Sequence, residues 1–134
     1  MPRLVKIALA VTLSLTMAGC AHVGGPAAGP PRPTEAWIAG KWVLKGESCA
    51  GNSGVLYRPD GSWISEGLTG EWRIVRSELR LDIIGEQMPS GMIKPILPPK
   101  RFEDLIVELG PDDYLARRAN SPDRHFVRCP KQAP

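Results

Sequence analysis

The sequence predicts an all-β fold: a small antiparallel meander of about seven short strands, closed into a barrel or paired as a sandwich. Short segments of alternating apolar and polar residues follow one another through 34–130. Gly, Pro, Asn and Asp separate these segments at regular spacing, and no long amphipathic pattern typical of a helix lies between them. We expect the barrel rather than the sandwich, because closure protects the edges of so small a sheet.

The first half of the domain contains the clearest alternating segments. In 78–84, apolar residues at every second position alternate with charged ones, which is typical of a strand with one buried face. The tripeptide Pro59-Asp60-Gly61 separates two such segments and predicts a hairpin turn. A short helical turn is expected at 34–38. The predicted strands of this half are 40–45, 55–58, 62–65, 70–76 and 78–84.

The second half continues the same pattern after an irregular segment. The predicted strands are 101–109, 114–118 and 124–129, with turns at 110–113 and 120–123. In the first of these strands, Leu105, Val107 and Leu109 occupy alternate positions and are expected to face the core.

The irregular segment is 86–100, which contains four prolines. Proline at this density predicts neither a ladder strand nor a helix interior. We expect this segment to form a lid over one end of the barrel. The alternative is an exposed contact site, because apolar side chains stand between the prolines.

Residues 1–19 have the layout of a signal peptide. Two cations precede an uncharged, apolar run over 7–18, which is too short to span a bilayer as a helix. The string Met17-Ala18-Gly19-Cys20 then resembles the lipobox of bacterial lipoproteins. This resemblance implies that Cys20 is acylated, becomes the first mature residue and attaches the chain to a membrane. No Asp follows Cys20, which by the same resemblance favours the outer membrane, facing the periplasm.

Residues 20–33 are mostly Ala, Gly and Pro and are expected to form a disordered tether behind the lipid anchor, because they cannot bury a core. The folded β-barrel domain then occupies 34–130. Beyond the signal peptide the chain has 15 Lys and Arg against 14 Asp and Glu, so it is nearly neutral. Nucleic acid is therefore not an expected partner.

Two cysteines, Cys49 and Cys129, remain once Cys20 is assigned to lipid. In an exported protein they are expected to form a disulfide, which would close a loop of about 80 residues. No metal site or cofactor is expected, since the pair lacks histidine partners and a Cys-x-x-Cys spacing. His125 has no nucleophile motif to accompany it, so we predict no catalytic residues and no enzymatic activity.

Gly40-Lys41-Trp42 opens the first strand, and Arg124 and Arg128 lie on the last one. This arrangement resembles small lipocalin-like barrels, in which a Gly-x-Trp packs beneath an arginine from near the C-terminus. The resemblance implies a structural pair of Trp42 and Arg128, held by stacking and cation–π attraction. The same opening is similar to the periplasmic protease-inhibitor barrels of Gram-negative bacteria. In that family both cysteines lie in the first half of the domain, whereas Cys129 lies at its end here.

These patterns favour a non-enzymatic binding or interaction module in the cell envelope, with a small apolar molecule or a protein as its partner. One alternative is a periplasmic inhibitor of a protease or lysozyme, and another is a structural envelope protein. An enzyme would require polar groups that converge around His125. The residues expected to contact a ligand or partner are Trp37, Trp63, Met88, Met92, Ile96 and Leu97.

Overall fold

The computed structural model describes residues 32–131, which form one short helix and eight strands. The expectations for the signal peptide, Cys20 and the tether up to residue 31 lie outside the described residues. The elements are α1 (Glu35–Ile38), β1 (Gly40–Leu44), β2 (Val55–Tyr57), β3 (Ser62–Ser65), β4 (Leu68–Val75), β5 (Glu78–Gln87), β6 (Ile93–Leu109), β7 (Asp113–Arg117) and β8 (Arg124–Arg128).

Each strand pairs antiparallel with the next one along the chain, and β8 pairs with β1 to close the barrel. The predicted all-β meander barrel is therefore confirmed, and it has eight strands, one for each of the predicted ranges. Every segment predicted as a strand contributes to one. Closure depends on a short seam, in which Trp42 lies opposite Arg128 and Leu44 opposite Phe126.

Alternating residues on successive strands fill the barrel interior. The predicted alternation of β5 is confirmed, because Leu79, Leu81 and Ile83 are all buried in the core. Trp42 and Tyr114 are the largest fully buried side chains, and their rings meet edge to face with centroids 4.9 Å apart. Aromatic residues therefore fill the end of the barrel where β1 begins.

Helix α1 closes that end. Its N-cap Thr34 accepts a hydrogen bond from the backbone N–H of Trp37, and Ile38 is completely buried. The indole Nε1 of Trp42 donates to the backbone carbonyl of Ile38 at 2.7 Å, which fixes the helix to the first strand. We call this the closed end of the barrel.

The predicted disulfide between Cys49 and Cys129 is present, with the two Cα atoms 5.6 Å apart. It joins the loop between β1 and β2 to the residue that follows β8. The N–H of Cys129 also donates to the carbonyl of Lys41, which extends the pairing of the last strand with the first. The disulfide therefore reinforces the seam at which the barrel closes.

The predicted inward face of 101–109 is wrong at Leu105. Leu105 is 46% exposed, whereas Asp104 and Ile106 point into the barrel and are buried. A bulge between Ile106 and Glu108 shifts the alternation, so that Leu109 again packs against the core. On this strand, the position of a residue in the register therefore decides whether its side chain is buried, and apolar character alone does not.

The prediction that 86–100 forms an irregular lid is also wrong. This segment continues β5 and β6 into a hairpin arm, which we define as residues 84–100, with its turn at 88–92. Prolines are tolerated because β7 pairs with β6 only from Leu105 onwards, which leaves the other edge of the arm unpaired. Residues 96–99 have no partner on β5, so the last two prolines lie outside the ladder.

Candidate functional site

A cavity of about 370 Å³ opens into the barrel at the end opposite α1. We call it the cup. Its lining residues come from the last residue of β1, from β2 and β3 and from the start of β4, together with inward-facing residues of β5, β6 and β8 and with Arg118, which follows β7. The interior is therefore packed at the closed end and hollow at the open end. Its apolar lining includes Leu44, Leu68, Leu81, Ile83, Phe102 and Phe126.

One wall of the cup carries a buried ionic cluster that sequence reasoning did not find. The carboxylate of Asp104 accepts two hydrogen bonds from Arg118, at 2.7 Å from Nε and 3.0 Å from Nη2. Nη2 of Arg124 donates to the same carboxylate at 2.8 Å. Asp104 is only 3% exposed, so this acceptor is shielded from bulk water. We refer to Asp104, Arg118 and Arg124 as the arginine cluster.

Aromatic rings hold the two guanidinium groups of the cluster. The Arg118 guanidinium carbon lies 4.3 Å from the centroid of the Phe102 ring, and that of Arg124 lies 5.3 Å from the Phe126 ring. Both arrangements are cation–π contacts, which favour a fixed orientation of the planar group. Carboxylate and rings together place both arginines at the cup surface.

The β7–β8 hairpin positions the cluster through the alternation of its strands. Arg118 directly follows β7, and Arg124 begins β8, so both side chains stand on the inner side at the neck of the hairpin. Their neighbours Arg117 and Asp123 stand outside, where they form a separate bidentate ion pair at 2.8 and 2.9 Å. The hairpin therefore presents one ion pair to solvent and two arginines to the cup.

Two tyrosines lie beneath the cluster. Burial raises the pKa of Tyr57 far above its usual value, and the nearby carboxylate of Asp104 raises it further. The pKa of Tyr114 is raised in the same way, chiefly by burial. Both phenols are therefore neutral at physiological pH, and the charge of the interior belongs to the arginine cluster.

The rim of the cup is acidic. Glu47 lies in the loop after β1 and Glu66 in the turn between β3 and β4, and both are exposed. Neither contributes an ion pair among the residues that the structure describes. The cup therefore has negative charge at its entrance and an excess of positive charge on its wall.

Of the two tryptophans proposed as ligand contacts, only Trp63 lines the cup. It is buried, and its Nε1 donates to the backbone carbonyl of Glu71 at 3.1 Å. Gly70 makes room for this ring, because a Cβ there would stand 2.7 Å from the indole nitrogen. The structure places Trp37 at the closed end instead, where its Nε1 donates to the carbonyl of Pro111.

The predicted pair of Trp42 and Arg128 is formed at the closed end. The guanidinium carbon of Arg128 lies 4.2 Å from the Trp42 ring centroid. The same guanidinium donates to the backbone carbonyls of Ala39 and Trp37, and to the carboxylate of Asp112. Arg128 therefore connects the last strand to the segment around α1, and it takes no part in the cup.

The other proposed contact residues lie on the arm rather than at the cup. Met92 and Leu97 are the most exposed of them, at 69% and 81%. Met88 lies at the start of the turn and is also exposed, whereas Ile96 is half-buried against the edge of the core. No residue of the arm lines the cup. Of the six predicted contact residues, the structure thus places one on the cup wall, one at the closed end and four on the arm.

His125 lies on the outer face of β8. Its Nε2 is 2.8 Å from a carboxylate oxygen of Asp113, in a shallow depression of about 220 Å³. The described lining of this depression includes no serine, threonine or cysteine. His125 and Asp113 are therefore a surface pair without a serine, threonine or cysteine beside them among the described residues.

Three larger depressions, of about 550, 650 and 850 Å³, lie on the outer surface. The first lies between the 51–54 loop and the start of the arm, the second lies beside α1 and the turn after β2, and the third lies beside the disulfide. All three are formed largely by loop or helix residues and by outward-facing residues of β1 and β2. We regard the cup as the candidate site because it alone of these four combines inward-facing apolar walls with buried charge.

No protein-family model, curated protein or solved structure matches this chain. Among residues 32–131, no helix is long and apolar enough to cross a membrane. That same stretch holds no group of three or more His, Cys, Asp or Glu side chains placed to bind a metal ion. Function is therefore inferred from the geometry of the cup and the arm.

Proposed function

We propose that the chain is a lipid-anchored envelope protein whose barrel is a non-enzymatic binding module for a small, largely apolar ligand. The observation that carries this proposal is the cup, a cavity of about 370 Å³ with apolar walls inside an otherwise packed barrel. Its volume lies at the lower end of the range for ligand sites, roughly 300–1,000 Å³. The resemblance of the first strand, around Trp42, to lipocalin-like barrels is consistent with a barrel that binds a ligand.

The ligand proposal is tested with the neutral fluorescent probe N-phenyl-1-naphthylamine and the mature chain (20–134) carrying Cys20→Ser, which removes the acylation site. Leu68→Trp introduces a larger side chain into the cup, because Leu68 lines it. Val75→Trp is the matched control on the exposed face of the same strand. We expect saturable probe fluorescence with the parent chain and with Val75→Trp, and at least tenfold weaker binding to Leu68→Trp.

Near-UV circular dichroism of Leu68→Trp shows whether the barrel is intact in that variant. Equal probe binding by the two tryptophan variants would remove the cup as the site. No probe binding by the parent chain would contradict the proposal as a whole.

The membrane anchor is a separate part of the proposal, supported by the lipobox-like string that ends at Cys20. Two or more acyl chains would give stable attachment, since each buried methylene contributes about 0.8 kcal/mol. We expect radioactive fatty acid to label the wild-type chain in bacteria and not the Cys20→Ser variant. Label retained by the variant would overturn the lipidation proposal.

A second candidate function, inhibition of an envelope hydrolase, is favoured by the exposed apolar side chains of the arm. Met92 and Leu97 project where a partner's cleft could receive them. We expect the mature chain to inhibit at least one enzyme in a panel of proteases and lysozymes, and Leu97→Ser to weaken that inhibition. Leu105→Ser is the control, because Leu105 is exposed on the same strand but outside the arm. Inhibition of no enzyme in the panel would exclude this candidate.

A further inference from the structure

The arginine cluster contains two guanidiniums and one carboxylate, so one of its positive charges has no carboxylate paired with it among the described residues. Arg118 and Arg124 share the single carboxylate of Asp104, and no second acidic side chain pairs with either arginine in the part of the chain that the structure describes. Removing a charge from water without a partner is costly, so an unbalanced guanidinium needs a solvent-facing or ligand-facing side. The side chains of Arg118 and Arg124 are 23% and 30% exposed, and both line the cup.

The hydrogen-bond donors of the cluster are only partly used. Arg124 donates to Asp104 through Nη2 alone, so its Nε and Nη1 groups have no acceptor among residues 32–131. Arg118 uses Nε and Nη2, which leaves its Nη1 without an acceptor in the same range. These donors belong to rigid planar groups whose geometry matches a carboxylate. Because Asp104 and the phenyl rings already hold the guanidiniums, little side-chain freedom would be lost on binding.

The other lining residues of the cup limit the chemistry of the rest of a ligand that carries an anionic group. Leu68, Leu81 and Ile83 from β4 and β5 offer an apolar surface, which suits a hydrocarbon chain. The exposed carboxylates of Glu47 and Glu66 at the rim disfavour a second negative charge near the entrance. The lining therefore fits a molecule with one anionic group and an otherwise apolar body.

We propose that the cup binds a small amphipathic monocarboxylate, with its carboxylate on Arg118 and Arg124 and its hydrocarbon chain against the β4–β5 wall. This inference rests on the proposed function of the cup as a ligand site and adds the chemical class of the ligand. It assigns Asp104 the role of a positioning residue, which holds both guanidiniums without contacting the ligand.

The test compares two probes with the same hydrocarbon chain, decanoate and decanol, on the mature chain carrying Cys20→Ser. Each probe is titrated against bound N-phenyl-1-naphthylamine. An unpartnered carboxylate binds an apolar cavity more weakly than an alcohol does, because it loses more hydration. We expect the reverse here: decanoate about tenfold tighter than decanol, which corresponds to about 1.4 kcal/mol.

Arg124→Gln removes one guanidinium and leaves Asp104 paired with Arg118, so we expect it to abolish the preference for decanoate while decanol still binds. Arg117→Gln is the matched control, since it makes the same change in net charge on the outer side of the hairpin. It should keep the tenfold preference. Arg124→Lys retains the charge, and we expect it to retain part of the preference even if the glutamine variant folds poorly.

The outcomes separate this inference from the proposed function. Decanol binding as tightly as decanoate to the parent chain would overturn the carboxylate proposal and leave the cup as an apolar site. Failure of both probes to displace bound fluorophore would overturn the carboxylate proposal alone, whereas no binding of the fluorophore itself would contradict the proposed function. A decanoate preference that Arg117→Gln abolishes as fully as Arg124→Gln would indicate general electrostatic attraction and would also overturn the inference.

Discussion

The sharpest prediction concerns Asp104, because one buried carboxylate holds two arginines. Asp104→Asn keeps the shape of the side chain and removes its charge. The carboxylate accepts three hydrogen bonds from Arg118 and Arg124 through its two oxygens. In the asparagine one oxygen is replaced by an amide nitrogen, which cannot accept, so at least one of these hydrogen bonds is lost and the others lose their ionic character. The two guanidiniums would then repel each other with no anion between them. We therefore expect the variant to fold less stably rather than to change the fold.

The expected cost follows from how deeply the cluster is buried. Removing one partner of a fully buried ion pair costs about 3–5 kcal/mol. The Asp104 side chain is 5% exposed, but those of the two arginines are 23% and 30% exposed, so water would screen part of the loss. We expect a decrease of about 2–4 kcal/mol in the free energy of unfolding, a large share of the roughly 5–15 kcal/mol typical of such domains.

Urea unfolding followed by tryptophan fluorescence measures this loss. Asp123→Asn is the control, because its carboxylate also accepts two hydrogen bonds from one arginine, Arg117, but at the exposed surface. We expect it to cost less than about 1 kcal/mol. Adding Arg124→Gln to Asp104→Asn should recover part of the loss, because it removes one of the two like charges. Equal losses for the two aspartate variants would refute the argument that the buried Asp104 carboxylate stabilises this wall by balancing charge.

Three other measurements test the disulfide, the contacts of Arg128 and the exposed ion pairs of Asp82 and Asp123. Replacing Cys49 and Cys129 with serine should lower the free energy of unfolding by about 4 kcal/mol, since the disulfide closes a loop of about 80 residues; an unchanged urea midpoint would contradict this. Arg128→Ala should lower the free energy of unfolding by about 2–3 kcal/mol, because it removes charged hydrogen bonds to the segment around α1 and the cation–π contact with Trp42. Thermal unfolding measures this, and a loss below about 0.5 kcal/mol would show that α1 is held by packing alone. Hydrogen bonds from Arg101 and Arg117 hold the pKa values of Asp82 and Asp123 below their usual range. Their contribution to stability is therefore present above the unfolded-state pKa, near pH 4, and is lost as the pH falls through the lower folded-state values; Asp82→Asn should flatten the acid side of the stability curve, and an unaltered curve would count against this pair.

The strands of the barrel were largely predictable from the sequence. Alternation at every second position, as in Leu79, Leu81 and Ile83, is a local consequence of strand geometry and needs no knowledge of the rest of the fold. The hairpin turn at Pro59-Asp60-Gly61 is local in the same sense. Disulfide pairing was also predictable, because the expected export of the chain and lipidation of Cys20 leave only Cys49 and Cys129 to pair.

The arm was mispredicted because proline was considered without its neighbours. A proline is excluded from a strand only where its missing N–H would have to donate to an adjacent strand. Residues 93–95 and 100 pair with β5 on one side, and residues 96–99 have no partner there. No residue of 93–100 pairs with a strand on the other side, since β7 reaches only to Leu105. Which edge of β6 lacks a partner depends on where β7 ends, and no local pattern in 86–100 contains that information.

By itself, the sequence determined the all-β class, the order of the strands and the disulfide, and its resemblance to lipocalin-like barrels implied the pairing of Trp42 with Arg128. The cup and its arginine cluster were decided only by the tertiary structure. Asp104 stands in a strand whose leucines suggested the opposite inward face, and Arg118 and Arg124 flank an ordinary turn. The bulge in β6 and the register of β7 and β8 bring these three charges to one wall. The local sequence pattern determines which residues form strands, but closure of the barrel determines which polar residues face inward.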